Sequence, residues 1–535
     1  MIKTDHKMVI VLVALYRNVN FPIRIMHSLL ENIDGVLPYS IFMKDLRDMV
    51  NYNFEPPTEE EEDLFVKQII DLNPKVVGIS VLFPFAPIAR RLTKLIHDNS
   101  SALVIWGGIY PTISPETCIE ETDIICIGEG EGAIAELAIN LRDGKDYFNI
   151  DNLWINNNGH IIKNNMRPLI QDLDSLPFPS YGKDSLFFIE NNKLTKQDQA
   201  LMESTFYVQT SRGCPYTCSY CCNSKLKLRF RGLGNYTRSR SVENVMREIK
   251  EHQVIPNMHE YIYFVDEVFA INEPWLDNFE LRYKKEVGLP FYVMYHPELV
   301  NPMILNKLVK SGLFAITMGI QSGSEYIRKY IFRRPGTSNE IIKLANEIAI
   351  NYNVKIAYDL ILDNPYDTED TLKETISVLM QLPKPLSVNM YSLQFYGGHS
   401  LTLQAIKDGH ISEKDASVEN LIEKKAWRMI FVPKLIPYTH KQVLQNIIWL
   451  LCRNYATNKS IESAVFGNSF KSIILLNYIN FKAIILGFMK EILSKHIWIS
   501  RIMRGLTYVL KGDIATLYHK IRKVTNKGTI YRVPS

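Results

Sequence analysis

Long unbroken apolar runs are missing from this 535-residue chain. The most apolar stretch, residues 472–493, is divided by Lys482 and interrupted by Asn477 and Asn480. A spanning helix needs about 20 predominantly apolar residues, so this one reads as a buried or interfacial helix. Cysteine is scarce and unevenly spread: seven residues, four of them between positions 214 and 222. An odd, clustered count argues against a secreted disulfide framework and for metal binding. The first apolar run, Met8–Leu15, lacks a small-residue cleavage site after it. It reads as a core strand rather than a signal peptide, and reducing cytoplasm is the expected compartment. No fixed-period repeat is present. A composition of 46% hydrophobic and 22% charged residues is that of a folded globular protein.

Net charge is also small, at +4, but it is unevenly placed. From residue 451 onward 14 Lys and Arg stand against three acids, Glu462, Glu491 and Asp513. That tail carries +11, which leaves −7 on residues 1–450.

The length suggests two to four domains. Residues 1–150 alternate short apolar runs (Met8–Ala14, Val76–Ser80, Leu103–Trp106, Ile124–Ile127) with amphipathic stretches such as Ile88–His97 and Gly132–Leu141. This is the pattern of a doubly wound, Rossmann-like parallel sheet, whose ligands bind beyond the C-terminal strand ends. Residues 151–200 read as a linker, with a hairpin around Asn156–His160 and a proline-broken segment, Leu173–Tyr181. Residues 201–410 restart the alternation, with strands expected at Phe206–Gln209, Tyr261–Val265, Phe291–Met294, Ala315–Ile320, Ile356–Leu362 and Val388–Gln394. Six such units predict a partial β/α, TIM-like barrel with its functional groups at the C-terminal strand ends. Residues 411–535 read as a mainly helical, basic domain. The fold class is α/β.

Cys214, Cys218 and Cys221 form a C-x3-C-x2-C pattern directly after a candidate strand. Thiolates suit iron–sulfur clusters or zinc. Structural zinc takes four ligands, commonly as two separated pairs, and no second pair lies nearby. A four-iron cluster held by three cysteines leaves one iron open. Cys222 falls outside the spacing and reads as a non-ligand.

This pattern, with Tyr220 before the third cysteine, resembles the signature of the radical S-adenosylmethionine (radical SAM) enzymes. The resemblance implies a [4Fe-4S] cluster on Cys214, Cys218 and Cys221. The open iron would bind the methionine part of S-adenosylmethionine. Electron transfer would then release a 5′-deoxyadenosyl radical, the cofactor carrying the chemistry and the protein positioning it. Further segments extend the likeness. Tyr261–Phe269 ends in Asp266 and Glu267, where the family places an acidic group near the cosubstrate's ammonium; capping of the next helix is the alternative. Met318–Ser324 (MGIQSGS), followed by Arg328, resembles a GIESGS segment with Gln321 in place of Glu. Ser322 and Arg328 would contact the cosubstrate, or Ser322 and Ser324 would cap a helix. Asp359–Thr368 resembles the fifth-strand segment, with Asp363-Asn364-Pro365 where Gly-x-Pro is usual.

The N-terminal order of Gly78-Ile79-Ser80, Gly107-Gly108, Pro111-Thr112 and Gly128-Glu129-Gly130-Glu131 resembles the cobalamin-binding domain that precedes many radical SAM barrels. By that resemblance Ser80, Gly107, Gly108, Gly128, Glu129 and Gly130 would lie near cobalamin. The Asp-x-His-x-x-Gly loop of cobalamin mutases is missing after the first strand, so no histidine ligand to cobalt is expected.

The implied function is cobalamin-dependent methylation of an unactivated carbon. The alternatives are a cobalamin-dependent cyclisation or rearrangement without methyl transfer, and a non-catalytic metal-binding protein. A small-molecule or lipid-like substrate and an electron donor such as flavodoxin or ferredoxin are the implied partners. Nucleic acid is not expected: methylthiotransferases use three N-terminal cysteines, and here only Cys118 and Cys126 are present. The basic C-terminal region fits two readings, a helical lid with a solvated face and peripheral contact with an anionic membrane.

Overall fold

Alternate residues of the first strand face opposite layers, and this sets the N-terminal architecture. In β1 (Met8–Leu15) Val11, Val13 and Leu15 belong to one apolar cluster, and Ile10, Leu12 and Ala14 to another. The first cluster takes Phe65 and Ile69 from α2 (Glu59–Leu72) and Leu92 and Ile96 from α3 (Ala86–Asn99). The second takes Ile23 and Leu30 from α1 (Phe21–Glu31) and Ala133 and Leu137 from α6 (Glu131–Arg142). Between α3 and α6 lie two short helices, α4 (Ile109–Ile113) and α5 (Pro115–Cys118). Each fully buried aliphatic side chain contributes about 1.5–3 kcal/mol.

The computed structural model describes residues 7–45, 56–252, 259–269, 272–299, 301–417, 431–434, 439–467 and 475–486. The first sheet joins β1 to β2 (Val36–Met43), β3 (Val76–Ser80), β4 (Leu103–Gly107) and β5 (Ile124–Cys126). Its other members are β6 (Leu153–Asn157), β7 (His160–Lys163), β8 (Leu186–Glu190) and β9 (Lys193–Thr195). The order is 7-6-5-4-3-1-2-8-9. Its six central strands are parallel and its two edge hairpins antiparallel. The order reverses between β1 and β3, the switch point where such sheets bind ligands.

Residues 151–200, expected as a connector, thus supply four strands to this sheet. They are also tied to it by a buried ion pair. Arg24 of α1 donates to both Asp198 oxygens at 2.8 Å and to Ser180 O at 2.7 Å. Its guanidinium lies over the Phe42 and Tyr181 rings.

The second sheet runs in chain order through β10 (Thr205–Val208), β13 (Tyr261–Phe264), β14 (Phe291–Tyr295), β15 (Leu313–Gln321), β16 (Lys355–Leu362) and β17 (Val388–Ser392). All neighbours are parallel, so this is an open half-barrel. A two-stranded ribbon, β11 (Ser211–Arg212) with β12 (Arg238–Ser239), sits at its mouth. Helix α7 (Cys222–Arg229) follows the cysteine loop, and α8 (Val242–His252) and α9 (Glu273–Glu286) pack outside.

Residues 1–431 form one compact unit and 432–535 a second. The described part of the second is helical: His440–Cys452, Asn458–Phe466 and residues 475–486. Asn446 bonds the main chain of Lys434 and the side chain of Asn480 within it. Residues 418–430, 468–474 and 487–535, all in the expected helical domain, lie outside the described residues. Among the described residues no helix is long and apolar enough to cross a membrane.

Candidate functional site

The cysteine loop leaves β11 through Gly213, whose φ is +88°. A Cβ there would meet Tyr236 O at 2.2 Å, so only glycine lets the chain turn towards Cys214. Ser219, inside the loop, donates to Ile331 O at 2.5 Å and, through its N–H, to Phe332 O at 2.9 Å. Arg334 closes the anchor: Nη2 donates to Gly319 O at 2.6 Å, while Nη1 lies 3.8 Å from Cys218 Sγ and 3.4 Å from Tyr220 Oη. A buried cation thus stands beside one of the three pattern cysteines.

Burial pushes the Cys214 thiol up to about 11. It also raises Cys218, against the charge of Arg334. The Cys222 thiol lowers Cys221 to about 7 by hydrogen bonding, and its own value rises in return. Among the described residues no three His, Cys, Asp or Glu side chains converge on a single-ion site. The donor set is three thiols on one loop, which fits a cluster with one iron left open.

Asp266 and Glu267 stand in different environments, the first fully buried and the second exposed. Ile262 and Phe264 of β13 are fully buried, and Phe264 packs on Phe279 and Tyr283 of α9. Tyr263, between them, therefore faces the concave side. Asp266, past the end of β13, is fully buried. Its Oδ1 accepts from Thr210 N, Thr210 Oγ1 and Ser211 Oγ at 3.0, 3.0 and 2.6 Å. Among the described residues its Oδ2 has no partner, and burial raises the carboxyl to about 7. Glu267 opens onto the concave space, and its charge acts on Cys214, Cys221 and Cys222. Its surface is accessible from that space, yet the protein packed around it raises its carboxyl, against Arg212 and Arg238.

Ser322 and Arg328 are held within their own turn. Arg328, 1% exposed, donates to Ser322 O at 2.6 Å and Ser338 Oγ at 2.9 Å. Ser322 Oγ accepts from Ser324 N at 3.2 Å. Asp359 lies on the concave side of β16 and accepts from Asn389 Nδ2 at 2.9 Å; burial raises it.

The C-terminal edge of the first sheet faces this loop. Glu129 accepts from Arg212 Nη1 at 3.0 Å and from Arg238 Nη1 at 2.9 Å, and Glu131 accepts from Arg212 Nη2 at 2.6 Å. Arg212 and Arg238 are cross-strand partners in the ribbon, so one carboxylate meets two guanidinium groups. Burial alone would raise Glu129, but these cations hold it below its ordinary value. Gly128 packs on Phe230, next to the end of α7. Phe83 meets Tyr396 edge-on at 5.2 Å. Between these contacts lie the ends of β3 and β4, with Ser80 half-buried and Gly108 exposed. Gly108 has φ +103°, and a Cβ there would meet Val81 O at 3.0 Å; at Gly107 the nearest atom would be Cys126 Cβ at 3.9 Å. Thr112 Oγ1 joins the two loops, donating to Gly108 O at 2.7 Å and accepting from Gly128 N at 2.9 Å. Small side chains at a switch-point edge fit a broad ligand lying across the strand ends.

Residues 208–379 match the Radical SAM superfamily profile, and residues 9–138 match that of a B12 binding domain. The chain belongs to the radical SAM superfamily, in the branch that carries a B12-binding domain. The B12-binding match covers β1 to β5, and the radical SAM match takes in all three pattern cysteines. One similar relative is uncharacterized methyltransferase PH0819 of Pyrococcus horikoshii, 27% identical over 325 residues, which are 59% of this chain and 66% of that one. Another is 4'-phospho-dehydrooxetanocin synthase of Priestia megaterium, 24% identical over 354 residues (60% and 45% of the two chains). A third is the anaerobic magnesium-protoporphyrin IX monomethyl ester cyclase of Rubrivivax gelatinosus, 22% identical over 332 residues (59% and 55%). The matches thus span 45% to 66% of these relatives' length.

The fold is shared with the radical SAM methyltransferase TsrM of Kitasatospora setae: TM-score 0.62, 16% identity, 89% of this chain and 99% of that one. It is shared too with the cobalamin-dependent radical enzyme OxsB: TM-score 0.57, 17% identity, 99% and 82% covered.

Arg212, Arg238 and Arg334 were not among the residues the motifs pointed to. Arg212 stands two places before Cys214, and Arg334 lies in an Arg-Arg-Pro-Gly turn. Position beside the motif was the available signal. Their targets are distant in sequence and appear only on folding.

Proposed function

We propose that this protein is a cobalamin-dependent radical SAM methyltransferase acting on an unactivated carbon of a small-molecule or lipid-like substrate. The observation that carries the reading is the opposition, within one compact unit, of the Ser80–Gly107–Gly108 strand ends and the cysteine loop, held by Glu129, Arg212 and Arg238. Cys214, Cys218 and Cys221 would hold a [4Fe-4S] cluster, and Ser80, Gly107 and Gly108 would lie against cobalamin. When bound, the cluster would supply the electron for cleaving S-adenosylmethionine to a 5′-deoxyadenosyl radical, and cobalamin would supply the methyl carrier. Arg334 keeps a positive charge at Cys218. Glu267 offers a carboxylate to an ammonium group on the concave side, the role assigned in sequence to the Asp266–Glu267 pair. Asp266 fixes Thr210 and Ser211, the residues that lead into the loop. Ser322 and Arg328 shape the turn beneath it and reach the cosubstrate only through that turn. Glu129 acts by docking the Gly128–Gly130 loop on the radical domain. A flavodoxin- or ferredoxin-like electron donor completes the system. Peripheral membrane contact through the basic C-terminal region belongs to the same proposal.

Cyclisation or rearrangement is the second reading, favoured by the likeness to the ester cyclase. Anaerobic incubation of the reconstituted protein with cobalamin, reductant, S-adenosylmethionine and candidate substrates separates them by mass spectrometry. Both 5′-deoxyadenosine and S-adenosylhomocysteine support methylation. Deoxyadenosine alone supports the second reading. Neither product, from protein with a verified cluster, points to a non-catalytic metal-binding protein.

A further inference from the structure

The second unit presents one helix with two unlike faces. Along residues 475–486, Ile479 and Ala483 are 3% and 0% exposed, and Asn480 is bonded to Asn446. Tyr478, Phe481 and Ile485 are 63%, 60% and 41% exposed. Their spacing of three and four residues puts all three within one narrow stripe, opposite the buried side. Phe466, at the end of the preceding helix, is a fourth exposed apolar side chain, at 43%. Apolar side chains scattered singly over a surface need no explanation, but a contiguous stripe marks an interaction site.

The charge of the surrounding chain selects the partner. Residues 487–535 carry ten Lys and Arg against Glu491 and Asp513. Lys482, between the stripe residues, is exposed at its helix position and donates to Tyr455 O at 2.7 Å. A second protein of ordinary charge would gain little from this excess, and a second copy of the same basic tail would be repelled by it. Nucleic acid would use the cations and leave the aliphatic and aromatic stripe in water. An anionic bilayer uses both: apolar side chains enter the headgroup boundary, and Lys and Arg are drawn to the charged surface.

We infer that Tyr478, Phe481 and Ile485 form a membrane-docking face for anionic lipid bilayers, reinforced by the basic chain that follows. This deepens the membrane part of the proposed function and is independent of the radical chemistry.

The test uses the full chain and vesicles of phosphatidylcholine alone or with phosphatidylserine. Flotation is expected to favour the anionic vesicles by tenfold or more at low salt and to weaken as salt rises. Tyr478→Ser/Phe481→Ser/Ile485→Ser is expected to lose tenfold or more of that binding, with cluster content unchanged. To exclude loss through misfolding, Phe481→Trp in the otherwise intact chain should add quenching by brominated lipid tails beyond that of the parent's own six tryptophans. Equal flotation on both vesicle types, or a triple variant that floats like the parent, would overturn the inference. Absence of quenching at position 481 would do the same. Self-association abolished by the triple variant would reassign the face to a second copy. Salt-sensitive binding to RNA in preference to vesicles would reassign the charge.

Discussion

Arg212 donates through two separate nitrogens to Glu129 and Glu131, carboxylates that follow β5 of the first sheet. One guanidinium, two residues before Cys214, therefore fixes the distance between the loop after β5 and the cysteine loop. Arg212→Ala would leave Glu129 with Arg238 and strip Glu131 of this partner. Hydrogen bonds to charged groups are worth about 1.5–3 kcal/mol, and the Arg212 and Glu129 side chains are 17% and 14% exposed. The expected outcome is a loss of that size in urea denaturation, with a weakened cobalamin complex and unchanged iron content. Unchanged stability and cobalamin affinity would show that the contact does not hold the loops together.

Replacement of Cys214, Cys218 or Cys221 by Ala should remove the cluster, and Cys222→Ala should retain it. The expectation rests on spacing and on Arg334, which lies beside Cys218. Iron and acid-labile sulfide per chain measure it. Retention of full iron by Cys221→Ala, with loss by Cys222→Ala, would exchange the two assignments.

Arg334→Gln should lower the reduction potential of the reconstituted cluster. A positive charge and hydrogen bonds near cluster sulfurs raise the potential, and this guanidinium is buried with its remaining donors on Gly319 O. Arg334→Lys should recover part of the shift. A potential unmoved by both replacements would confine Arg334 to anchoring the loop.

The β/α order of both domains was legible because core strands here are short apolar runs. Val76–Ser80 has the expected bounds, and Tyr261–Val265 and Phe291–Met294 each differ from theirs by one residue. Strand β2 was hidden by Pro38, since proline rarely enters central strands. It is tolerated because pairing with β8 starts only at Ser40, leaving the outer side of Pro38 unpaired. The β8–β9 hairpin was masked by a polar surrounding, although Asn191 and Asn192 both take positive φ, as a tight hairpin turn requires. The cysteine ligands were legible as a local pattern. The split between Asp266 and Glu267, and the use of Glu129 as an interdomain anchor, depend on burial and on partners up to 109 positions away. No local pattern carries that.

Gly107 and Gly108 should respond differently to alanine. At Gly108, φ of +103° and the Val81 carbonyl 3.0 Å from a Cβ predict a destabilisation of about 1–3 kcal/mol. At Gly107 a Cβ meets only Cys126, at 3.9 Å, so the fold should persist while cobalamin affinity falls. Thermal melts and cobalamin titration separate the two effects. Wild-type cobalamin affinity in Gly107→Ala would remove this strand end from the ligand edge.

His27 should make the first unit acid-sensitive. Its Nδ1 lies 2.8 Å from Ser40 Oγ and its Nε2 3.0 Å from Ser185 Oγ, so the ring bridges α1 to the segment before β8. Burial, with Arg24 and Lys183 nearby, lowers it to about 4, and Glu31 at 3.8 Å does not offset this. The folded value lies below the unfolded one, near 6.5. Folded protein thus binds fewer protons between those limits. The stabilisation is complete above about pH 6.5 and is lost as pH falls towards 4. From pH 7 to 5 the loss from this one group is about 2 kcal/mol. In His27→Gln, stability at pH 7 should drop through lost packing, while the slope between pH 7 and 5 becomes shallower. Parallel urea-midpoint profiles for the two proteins would mean that His27 is charged in the folded state and that its bridge tolerates the proton.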